Sequence, residues 1–261
     1  MKTSIAGRAA LVTGASSGLG VAFARDLARR GCALVLVARS EAPMQQLAIE
    51  LRAGGTMVHV RPVDLADAAA REALVKDLAS DGITVDVLVN NAGFGVFGAF
   101  ADTDWPRLDA LLAVDVLALT HLTRLFVPGM RERGFGHVLQ VASTGAFQPT
   151  PTYAVYSAAK TYVLEFSYAL DAELRGSGVR CTVVSPGVTA TRFLEVSGQR
   201  ATWYQRVTRM EAPGVARAGI DAMLTGRTGI ITGMVNAVMA HSTRMMPRRI
   251  SARVAGWLMR N

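Results

Sequence analysis

Thr13-Gly14-Ala15-Ser16-Ser17-Gly18-Leu19-Gly20 follows a short apolar run and leads directly into a helix-forming pattern. Glycine lets a backbone turn tightly and approach a phosphate closely, and a helix N-terminus offers N–H groups without partners. The spacing is G-x3-G-x-G, and an ordinary strand-to-helix turn would also explain glycines alone. Because this turn follows the first strand of a predicted β-α-β unit, it favours nucleotide binding.

Apolar runs alternate with helix-length segments along the rest of the chain. The runs are continuous, which is typical of strands buried on both faces of a parallel sheet. The repetition predicts an α/β fold with a single doubly wound parallel sheet and helices on both faces. The predicted strands are 9–13, 33–38, 57–60, 85–89, 138–142 and 179–184, and the predicted helices are 21–30, 44–53, 68–79, 106–133 and 152–175.

Length and composition predict one large domain. The chain has 261 residues, of which 51% are hydrophobic and 18% charged, so there is ample material for a core. Cys32 and Cys181 lie in or beside apolar runs and are predicted to be buried thiols, and no metal site is predicted. No uninterrupted apolar stretch approaches the roughly 20 residues that span a bilayer, and the longest candidate is 229–240. We therefore expect a cytoplasmic protein.

Positive charge is concentrated at the C-terminal end. The net charge is +8, and residues 196–261 hold ten arginines but only two acids, Glu211 and Asp221. These arginines alternate with Met, Val, Ile and Trp, which suits a membrane surface, a partner or an anionic amphipathic substrate better than nucleic acid. A solvated basic face is an equally simple explanation. We predict no nucleic-acid binding and keep peripheral membrane contact through this tail as an open alternative.

The end of the second predicted strand bears on the choice of nicotinamide cofactor. An acidic residue there would hydrogen-bond a ribose 2′-hydroxyl, whereas an arginine accommodates a 2′-phosphate. The strand ends at Arg39-Ser40, with no acid before Glu41. A strand-end arginine is often merely solvated, but at this position it predicts NADP(H) rather than NAD(H).

Tyr156 and Lys160 are four residues apart on a predicted helix, so their side chains point nearly the same way. A lysine ammonium favours a phenolate, and we expect it to lower the pKa of Tyr156. The tyrosine would then give a proton to a carbonyl oxygen or take one from an alcohol. Tyr153 and Tyr162 have no lysine four residues later, so we expect them to pack or to face substrate.

Taken in order, these motifs resemble those of the short-chain dehydrogenase/reductase family over roughly residues 7–232. The resemblance implies a Rossmann-like fold and an NADP(H)-dependent oxidoreductase that interconverts a carbonyl and an alcohol. Ser143, Tyr156 and Lys160 match the family's catalytic residues, with Ser143 holding the substrate oxygen. Together with Arg39, the expected cofactor contacts are Gly14, Ser16, Ser17, Gly18, Leu19, Gly20, Asp64, Leu65, Asn91, Ala92, Gly93, Tyr156, Lys160, Pro186, Gly187, Val188 and Thr191.

Asp115 departs from the family pattern, which typically has a catalytic asparagine at this position. That asparagine helps to hold a water linking the lysine to solvent. An ionised carboxylate would instead weaken the pull of Lys160 on Tyr156. Asp115 is therefore a fourth catalytic candidate, compatible with slower catalysis, a shifted pH optimum or no change. The alternative functions are a catalytically impaired NADP(H)-binding regulator or scaffold and, ranked last, a nucleotide-sugar epimerase.

Residues after Thr191 are expected to form a flap over the substrate, because ligands bind beyond the carboxyl ends of the strands. Apolar side chains there predict a hydrophobic ketone or aldehyde, or the corresponding alcohol, as substrate, although each can equally belong to the core. The expected lining is Phe94, Phe97, Phe147, Phe193, Leu194, Val196, Trp203 and Tyr204.

The chain divides at residue 232 in this interpretation. Residues 1–232 are predicted to form a Rossmann-type catalytic and cofactor-binding domain, and 233–261 a basic amphipathic extension absent from shorter family members. The extension would cover the active site, pair subunits or lie on a membrane, and a homodimer or homotetramer is expected. Its helical spacing involves Met245, Met246, Ile250, Val254, Trp257 and Leu258 on one face and Arg248, Arg249, Arg253 and Arg260 on the other.

Overall fold

A parallel sheet forms the centre of the computed structural model, which describes residues 3–259. Its strands are β1 Ala9–Thr13, β2 Ala33–Ala38, β3 Val58–Pro62, β4 Val85–Asn90, β5 Gly136–Val141, β6 Val179–Ser185 and β7 Gly229–Ile231. The seven strands lie in the order β3-β2-β1-β4-β5-β6-β7, and all pairings are parallel. The direction of winding reverses between β1 and β4, which confirms the predicted doubly wound α/β sheet.

Helices connect the strands and cover both faces of the sheet. They are α1 Gly18–Arg29, α2 Glu41–Ala53, α3 Ala68–Ser80, α4 Trp105–Leu112, α5 Leu119–Glu132, α6 Ala154–Glu173, α7 Phe193–Ser197, α8 Trp203–Val207, α9 Ala212–Leu224, α10 Met234–Ser242 and α11 Arg248–Leu258. A π-helical turn, Ala113–Ala118, joins α4 to α5, and Thr144–Phe147 and Thr243–Met245 form 3₁₀ turns.

The core consists of two apolar layers, one on each face of the sheet. Phe23 of α1 and Ile220 of α9 are buried on one face, while Leu74 of α3 and Leu122 of α5 are buried on the other. Each such side chain contributes about 2 kcal/mol of burial free energy. Strand residues face both layers, which explains why the strands appear in the sequence as continuous apolar runs.

The helical stretch Trp105–Glu132 has a π-helical turn at its centre instead of the single regular α-helix that was predicted. It is 28 residues long and contains an 18-residue window with a mean hydropathy of 1.7, which by length and composition suffices to cross a membrane. The expectation that 229–240 is the longest candidate was therefore wrong. Asp109 and Asp115 interrupt the longer run, so it is not an uninterrupted apolar stretch. Leu111 and Leu122 are fully buried in the domain, and this packing accounts for the apolar composition.

The extension after β7 folds back onto the domain as α10 and α11. Ser251, Ala255 and Leu258 form the buried side of α11. The predicted apolar face was therefore wrong apart from Leu258, because Ile250, Val254 and Trp257 are exposed and Met245 and Met246 precede the helix. Gln199 Nε2 donates a hydrogen bond to Met259 O at 3.3 Å, which attaches the end of the chain to the segment after α7. Arg260, which was assigned to the basic face, lies outside the described residues.

Two cavities lie at opposite ends of the sheet. One of about 370 Å³ touches the starts of β1 and β2 near Ala9 and Ala33. The other, about 740 Å³, lies beyond the carboxyl ends of the strands and extends from the glycine turn to α10. In open α/β sheets the carboxyl end is where ligands bind, so the larger cavity is the candidate site.

Candidate active site

The glycine turn between β1 and α1 is tied to the neighbouring end of β4. Thr13 Oγ1 accepts hydrogen bonds from the backbone N–H groups of Asn91 and Ala92, each at 2.9 Å. The side-chain amide of Asn91 donates in turn to Thr13 O at 2.9 Å. These bonds fix the two strand ends against each other at the point where the strand order reverses.

The glycines of the turn are required by geometry. Gly14 and Gly18 have left-handed backbone conformations, with φ of +66° and +55°. A Cβ on Gly20 would lie 2.1 Å from Gly14 O, so the first turn of α1 rests directly on the glycine backbone. Ser17, Gly18 and Leu19 at the start of this helix line the large cavity. A backbone cradle at a helix N-terminus fits the pyrophosphate of a dinucleotide.

The next part of the cavity wall comes from the ends of β2 and β3. Arg39 and Ser40 follow β2, and Asp64 and Leu65 follow β3. Arg39 is exposed and makes no ion pair with any residue in the range 3–259, so its guanidinium is available to an anionic group. Asp64 Oδ1 accepts a hydrogen bond from Ala66 N at 3.0 Å, which holds the loop after β3 in place.

The structure brings nearly all of the residues expected in the site to this one cavity. Gly20 lies behind the glycine turn and Asp115 lies behind Lys160, so neither reaches the cavity wall. The predicted residues that line it are Gly14, Ser16, Ser17, Gly18, Leu19, Arg39, Asp64, Leu65, Asn91, Ala92, Gly93, Ser143, Tyr156, Lys160, Pro186, Gly187, Val188 and Thr191.

Ser143, Tyr156 and Lys160 meet where β5 ends and α6 begins. Ser143 is the N-cap of a 3₁₀ turn, and its Oγ accepts a hydrogen bond from Gly145 N at 3.1 Å. Ser143 and Tyr156 both line the cavity, and both side chains lie next to Gly145. Lys160 Nζ donates to Val141 O at 3.1 Å, so the lysine is held against the last residue of β5.

Asp115 forms a buried ion pair with Lys160. Its Oδ2 lies 2.9 Å from Lys160 Nζ at an angle too bent for an aligned hydrogen bond, so the contact is mainly ionic. Oδ1 accepts a hydrogen bond from Phe94 N at 3.0 Å, and the aspartate is entirely buried. A Cβ on Gly93 would lie 2.8 Å from Oδ2, so only glycine leaves room for this carboxylate. The π-helical turn carries Asp115 into this position, as such turns often do at functional sites.

The predicted lowering of the Tyr156 pKa is wrong in this structure. Burial raises the pKa of Tyr156 above its usual value, the nearby Ser143 hydroxyl opposes this, and the charge of Asp115 raises the pKa further. The Tyr156 side chain is only half-buried and lines the cavity wall. Lys160 Nζ lies 5.7 Å from the centre of the ring and contacts the Asp115 carboxylate more closely. Burial raises the pKa of Asp115 as well, although Lys160 opposes that shift.

Tyr153 is fixed beside the catalytic candidates as a structural wall. Its hydroxyl lies 2.8 Å from Ser197 Oγ and donates to Gln199 Oε1 at 3.0 Å. Burial raises the pKa of Tyr153 to about 12, and because its hydroxyl is already held by Ser197 and Gln199, we expect no proton transfer from it to substrate. Its ring centroid lies 5.7 Å from that of Tyr156 and 6.4 Å from that of Phe193.

The predicted apolar lining is correct in part. The cavity is lined by Phe94, Phe193, Leu194, Val196 and Tyr204. Three other predicted residues do not line it. Phe97 packs against Tyr153 at 5.4 Å between ring centroids, Phe147 packs onto a core cluster, and Trp203 faces solvent beside Trp257. The sequence of such short segments does not indicate whether an aromatic side chain points into the cavity, into the core or towards solvent.

Further wall residues come from parts of the chain for which the sequence offered no local signal. They belong to none of the predicted motifs and reach the cavity through tertiary packing, as Met259 does. These residues are Gln148, Gln205, Asn236, Met239, Ala240 and Met259. Within residues 3–259, no group of three or more His, Cys, Asp or Glu side chains is arranged to hold a metal ion.

Comparisons with known proteins agree with this geometry. A family model for short chain dehydrogenases matches residues 8–201. Ketoacyl reductase HetN of Nostoc sp. is 32% identical over 253 residues, which cover 94% of this chain and 84% of that protein.

Two solved structures share the fold over most of both chains. A short-chain dehydrogenase from Sphingobium yanoikuyae in complex with NADPH has a TM-score of 0.81 and 29% identity, covering 92% of this chain and 95% of the other. A family member from Burkholderia phymatum in complex with NAD has a TM-score of 0.83 and 26% identity, covering 92% and 93%. The chain therefore belongs to the short-chain dehydrogenase/reductase family and is an oxidoreductase that acts on a CH–OH group with a nicotinamide cofactor.

Proposed function

We propose that the protein interconverts a hydrophobic ketone or aldehyde and its alcohol with NADP(H), using Tyr156 as the acid and base. The observation that carries the proposal is the continuous cavity, which begins at the exposed Arg39 and ends among apolar side chains beside Tyr156. One end suits a phosphorylated dinucleotide and the other an apolar carbonyl compound.

The cofactor preference rests on the end of β2. Arg39 would hold the 2′-phosphate that distinguishes NADP(H) from NAD(H), and among residues 3–259 it has no carboxylate partner to compete for its charge. Relatives with either cofactor share the fold, so the side chain at this position is the supporting observation. When bound, the nicotinamide supplies or accepts the hydride of the reaction.

The chain's own groups handle the substrate oxygen and its proton. Ser143 would donate a hydrogen bond to the carbonyl oxygen and polarise it. Because the pKa of Tyr156 is raised, its hydroxyl carries a proton at neutral pH and can give it to that oxygen during reduction. The half-buried ring of Phe193, centred 5.2 Å from that of Tyr156, helps to exclude water from the reacting groups.

Asp115 would set the pH range of the reaction through Lys160 and Tyr156. The carboxylate compensates the lysine charge and adds a negative charge near the phenol, so it opposes phenolate formation. Alcohol oxidation needs the phenolate as base, whereas carbonyl reduction needs the phenol as acid. The ion pair therefore favours the reductive direction at neutral pH.

Replacing Asp115 with asparagine is expected to move the pH–rate profile of alcohol oxidation to lower pH by about one unit. The change removes a charge that raises the pKa of Tyr156 and leaves the Lys160 charge free to favour the phenolate. The amide oxygen of asparagine can still accept the hydrogen bond from Phe94 N, so the local fold is retained. The measurement is kcat/KM for alcohol oxidation as a function of pH.

Asp109→Asn serves as the matched control for this prediction. Asp109 lies on α4, is exposed, and does not line the cavity, so the same chemical change there should leave the profile in place. If the pH–rate profiles of the parent and Asp115→Asn were superimposable, Asp115 would have no effect on the pH dependence of catalysis.

The main test of the proposed function is NADPH oxidation with a graded series of carbonyl compounds. Long-chain, aromatic and polycyclic carbonyls are expected to give a higher kcat/KM than acetone or acetaldehyde. A larger apolar substrate buries more of its surface against Phe94, Phe193 and Leu194, which strengthens its binding. In the same assay, Arg39→Asp should weaken NADPH binding by about 30-fold or more and narrow the preference for NADPH over NADH. Arg175→Asp, an exposed change at the opposite end of the sheet, should alter neither.

Two results would contradict the proposal in different ways. If the parent binds NADH at least as tightly as NADPH, the cofactor assignment is wrong. If NADPH binds tightly but none of the carbonyls is turned over, the alternative of a cofactor-binding regulator or scaffold gains support.

The proposal includes a homo-oligomer in the cytoplasm. Trp105, Leu117 and Tyr162 are exposed apolar or aromatic side chains on α4, the π-helical turn and α6, and they support subunit contacts through this side. Light scattering in solution measures the assembly, and cell fractionation measures the location.

A further inference from the structure

An apolar surface lies on the outer sides of α8, α10 and α11. The side chains on this surface are large, apolar and exposed, and none of them takes part in the function described above. Met234 and Met245 are 84% and 91% exposed, values that are costly for side chains of this size. The apolar C-terminal face consists of Trp203, Val207, Met234, Val235, Val238, Met245, Ile250, Val254 and Trp257.

Helix geometry explains why these residues share a surface. On α11, Ser251, Ala255 and Leu258 point into the domain, so Ile250, Val254 and Trp257 project from the other side. The rings of Trp203 and Trp257 lie 6.4 Å apart between centroids, which joins α8 to α11. The 3₁₀ turn Thr243–Met245 connects α10 to α11 and carries the most exposed of these side chains.

Positive charge borders the apolar C-terminal face. Residues 222–259 contain no acidic residue, and Arg249 and Arg253 lie on α11 next to its exposed apolar stripe. None of the bordering arginines forms an ion pair with a residue in the range 3–259. These arginines are Arg206, Arg209, Arg244, Arg248, Arg249 and Arg253.

We propose that the apolar C-terminal face docks onto the surface of an anionic lipid bilayer. Tryptophan, methionine and valine would enter the interface between headgroups and acyl chains, while the flanking arginines reach lipid phosphates. A two-fold contact with a second copy would bring the arginine clusters of both chains together, which costs electrostatic free energy. Nucleic acid would use the arginines but leave the valines and methionines exposed.

The same helices line the substrate end of the cavity with their other sides. Tyr204 and Gln205 of α8, Met239 of α10, and Met259 after α11 are cavity residues. Docking would therefore place this wall of the cavity against the lipid. If the proposed carbonyl chemistry is correct, the substrate is a lipid-soluble carbonyl compound taken from the bilayer; bilayer binding itself does not depend on that chemistry.

Vesicle sedimentation with the full chain tests whether the arginines contribute to binding of the anionic bilayer. The protein should sediment with vesicles of phosphatidylcholine containing roughly one third phosphatidylglycerol and stay in solution with phosphatidylcholine alone. Arg249→Glu with Arg253→Glu should weaken that binding by at least about tenfold. The matched control is Arg131→Glu with Arg175→Glu, which makes the same charge change at the opposite end of the sheet and should retain binding.

Quenching of tryptophan fluorescence by brominated lipid tests whether the apolar side chains enter the bilayer. The chain has three tryptophans, and Trp105 lies on α4 and is not part of the apolar C-terminal face. Brominated acyl chains should quench the fluorescence of Trp105→Phe, which keeps Trp203 and Trp257. The variant with both Trp203→Phe and Trp257→Phe should be quenched at least about fivefold less at equal bound protein, since tryptophans at the interface lie near the acyl chains. NADPH affinity and thermal melting verify that each variant is folded.

Four results would overturn the proposal. One is equal sedimentation with neutral and anionic vesicles, and another is an equal loss of binding in both arginine variants. A third is tighter binding to a DNA or RNA oligonucleotide than to the anionic vesicles. The fourth is a smaller assembly on size exclusion for Trp257→Ser, but not for Trp105→Ser, because this would show that the surface pairs two copies. None of these measurements depends on carbonyl turnover, so a failure here leaves the proposed reaction untouched.

Discussion

Tyr156→Phe is expected to lower kcat by about 10³-fold, because the phenol is the group that gives or takes the substrate proton. Phenylalanine keeps the ring and its packing against Phe193, so the shape of the cavity is preserved. Removal of the hydroxyl should change the free energy of unfolding by about 1 kcal/mol or less. Steady-state turnover measures the effect on catalysis, and fluorescence titration should find NADPH affinity within about tenfold of the parent, since charge on the cofactor dominates its binding.

Tyr162→Phe is the matched control on the same helix. Its hydroxyl lies 2.9 Å from Thr120 Oγ1 on an exposed surface, away from the cavity. Turnover should therefore remain close to that of the parent. If Tyr156→Phe kept more than about a tenth of the parent kcat, the proton would have to come from another group.

Gly20→Ala is expected to weaken NADPH binding by about 100-fold or more and to lower the free energy of unfolding by about 1–3 kcal/mol. The new methyl group would lie 2.1 Å from Gly14 O, which is backbone, and 2.9 Å from Asn91 Nδ2, which is held by its hydrogen bond to Thr13 O. The start of α1 would have to move away from β1, which opens the cradle at the cavity wall. Equilibrium unfolding in urea and titration with NADPH measure the two effects.

Gly214→Ala provides an informative comparison, because Gly214 is also the third residue of a helix, α9. A Cβ there meets nothing within 4 Å, so alanine should raise the free energy of unfolding by about 0.5–1 kcal/mol through higher helix propensity. Opposite signs for the two substitutions are the expected result. If Gly20→Ala were as stable as the parent and bound NADPH normally, close packing of the glycine turn would not be needed.

The strands were the most predictable part of the fold. The predicted 9–13 and 33–38 coincide with β1 and β2, since buried parallel strands need apolar side chains on both faces. β7 escaped prediction because it has only three residues, all half-buried at the sheet edge. α9 was missed as well, although its apolar residues are buried against α1.

The candidate site was predictable where its residues belong to motifs and not where they depend on tertiary proximity. Ser143, Tyr156 and Lys160 are recognisable by order and spacing, and the structure brings them together. The direction of the Tyr156 pKa shift was not predictable from the sequence, because it depends on burial in the folded protein and on the position of Asp115. The sequence identified Asp115 as a departure, but the π-helical turn that buries it leaves no trace in hydrophobic periodicity.

The central position of β1 also affects how the protein is made. β1 hydrogen-bonds to β4 on one side, and Thr13 reaches Val89 across 76 residues of chain. A ribosome adds about 5–20 residues per second, so β4 is synthesised roughly 4–15 s after β1. Until then, the edge of β1 that pairs with β4 has no partner strand. During that interval the strand Ala9–Thr13 presents an unpaired apolar edge, the kind of feature that recruits other chains. The rate of translation between β1 and β4 therefore sets how long the nascent chain is exposed to aggregation.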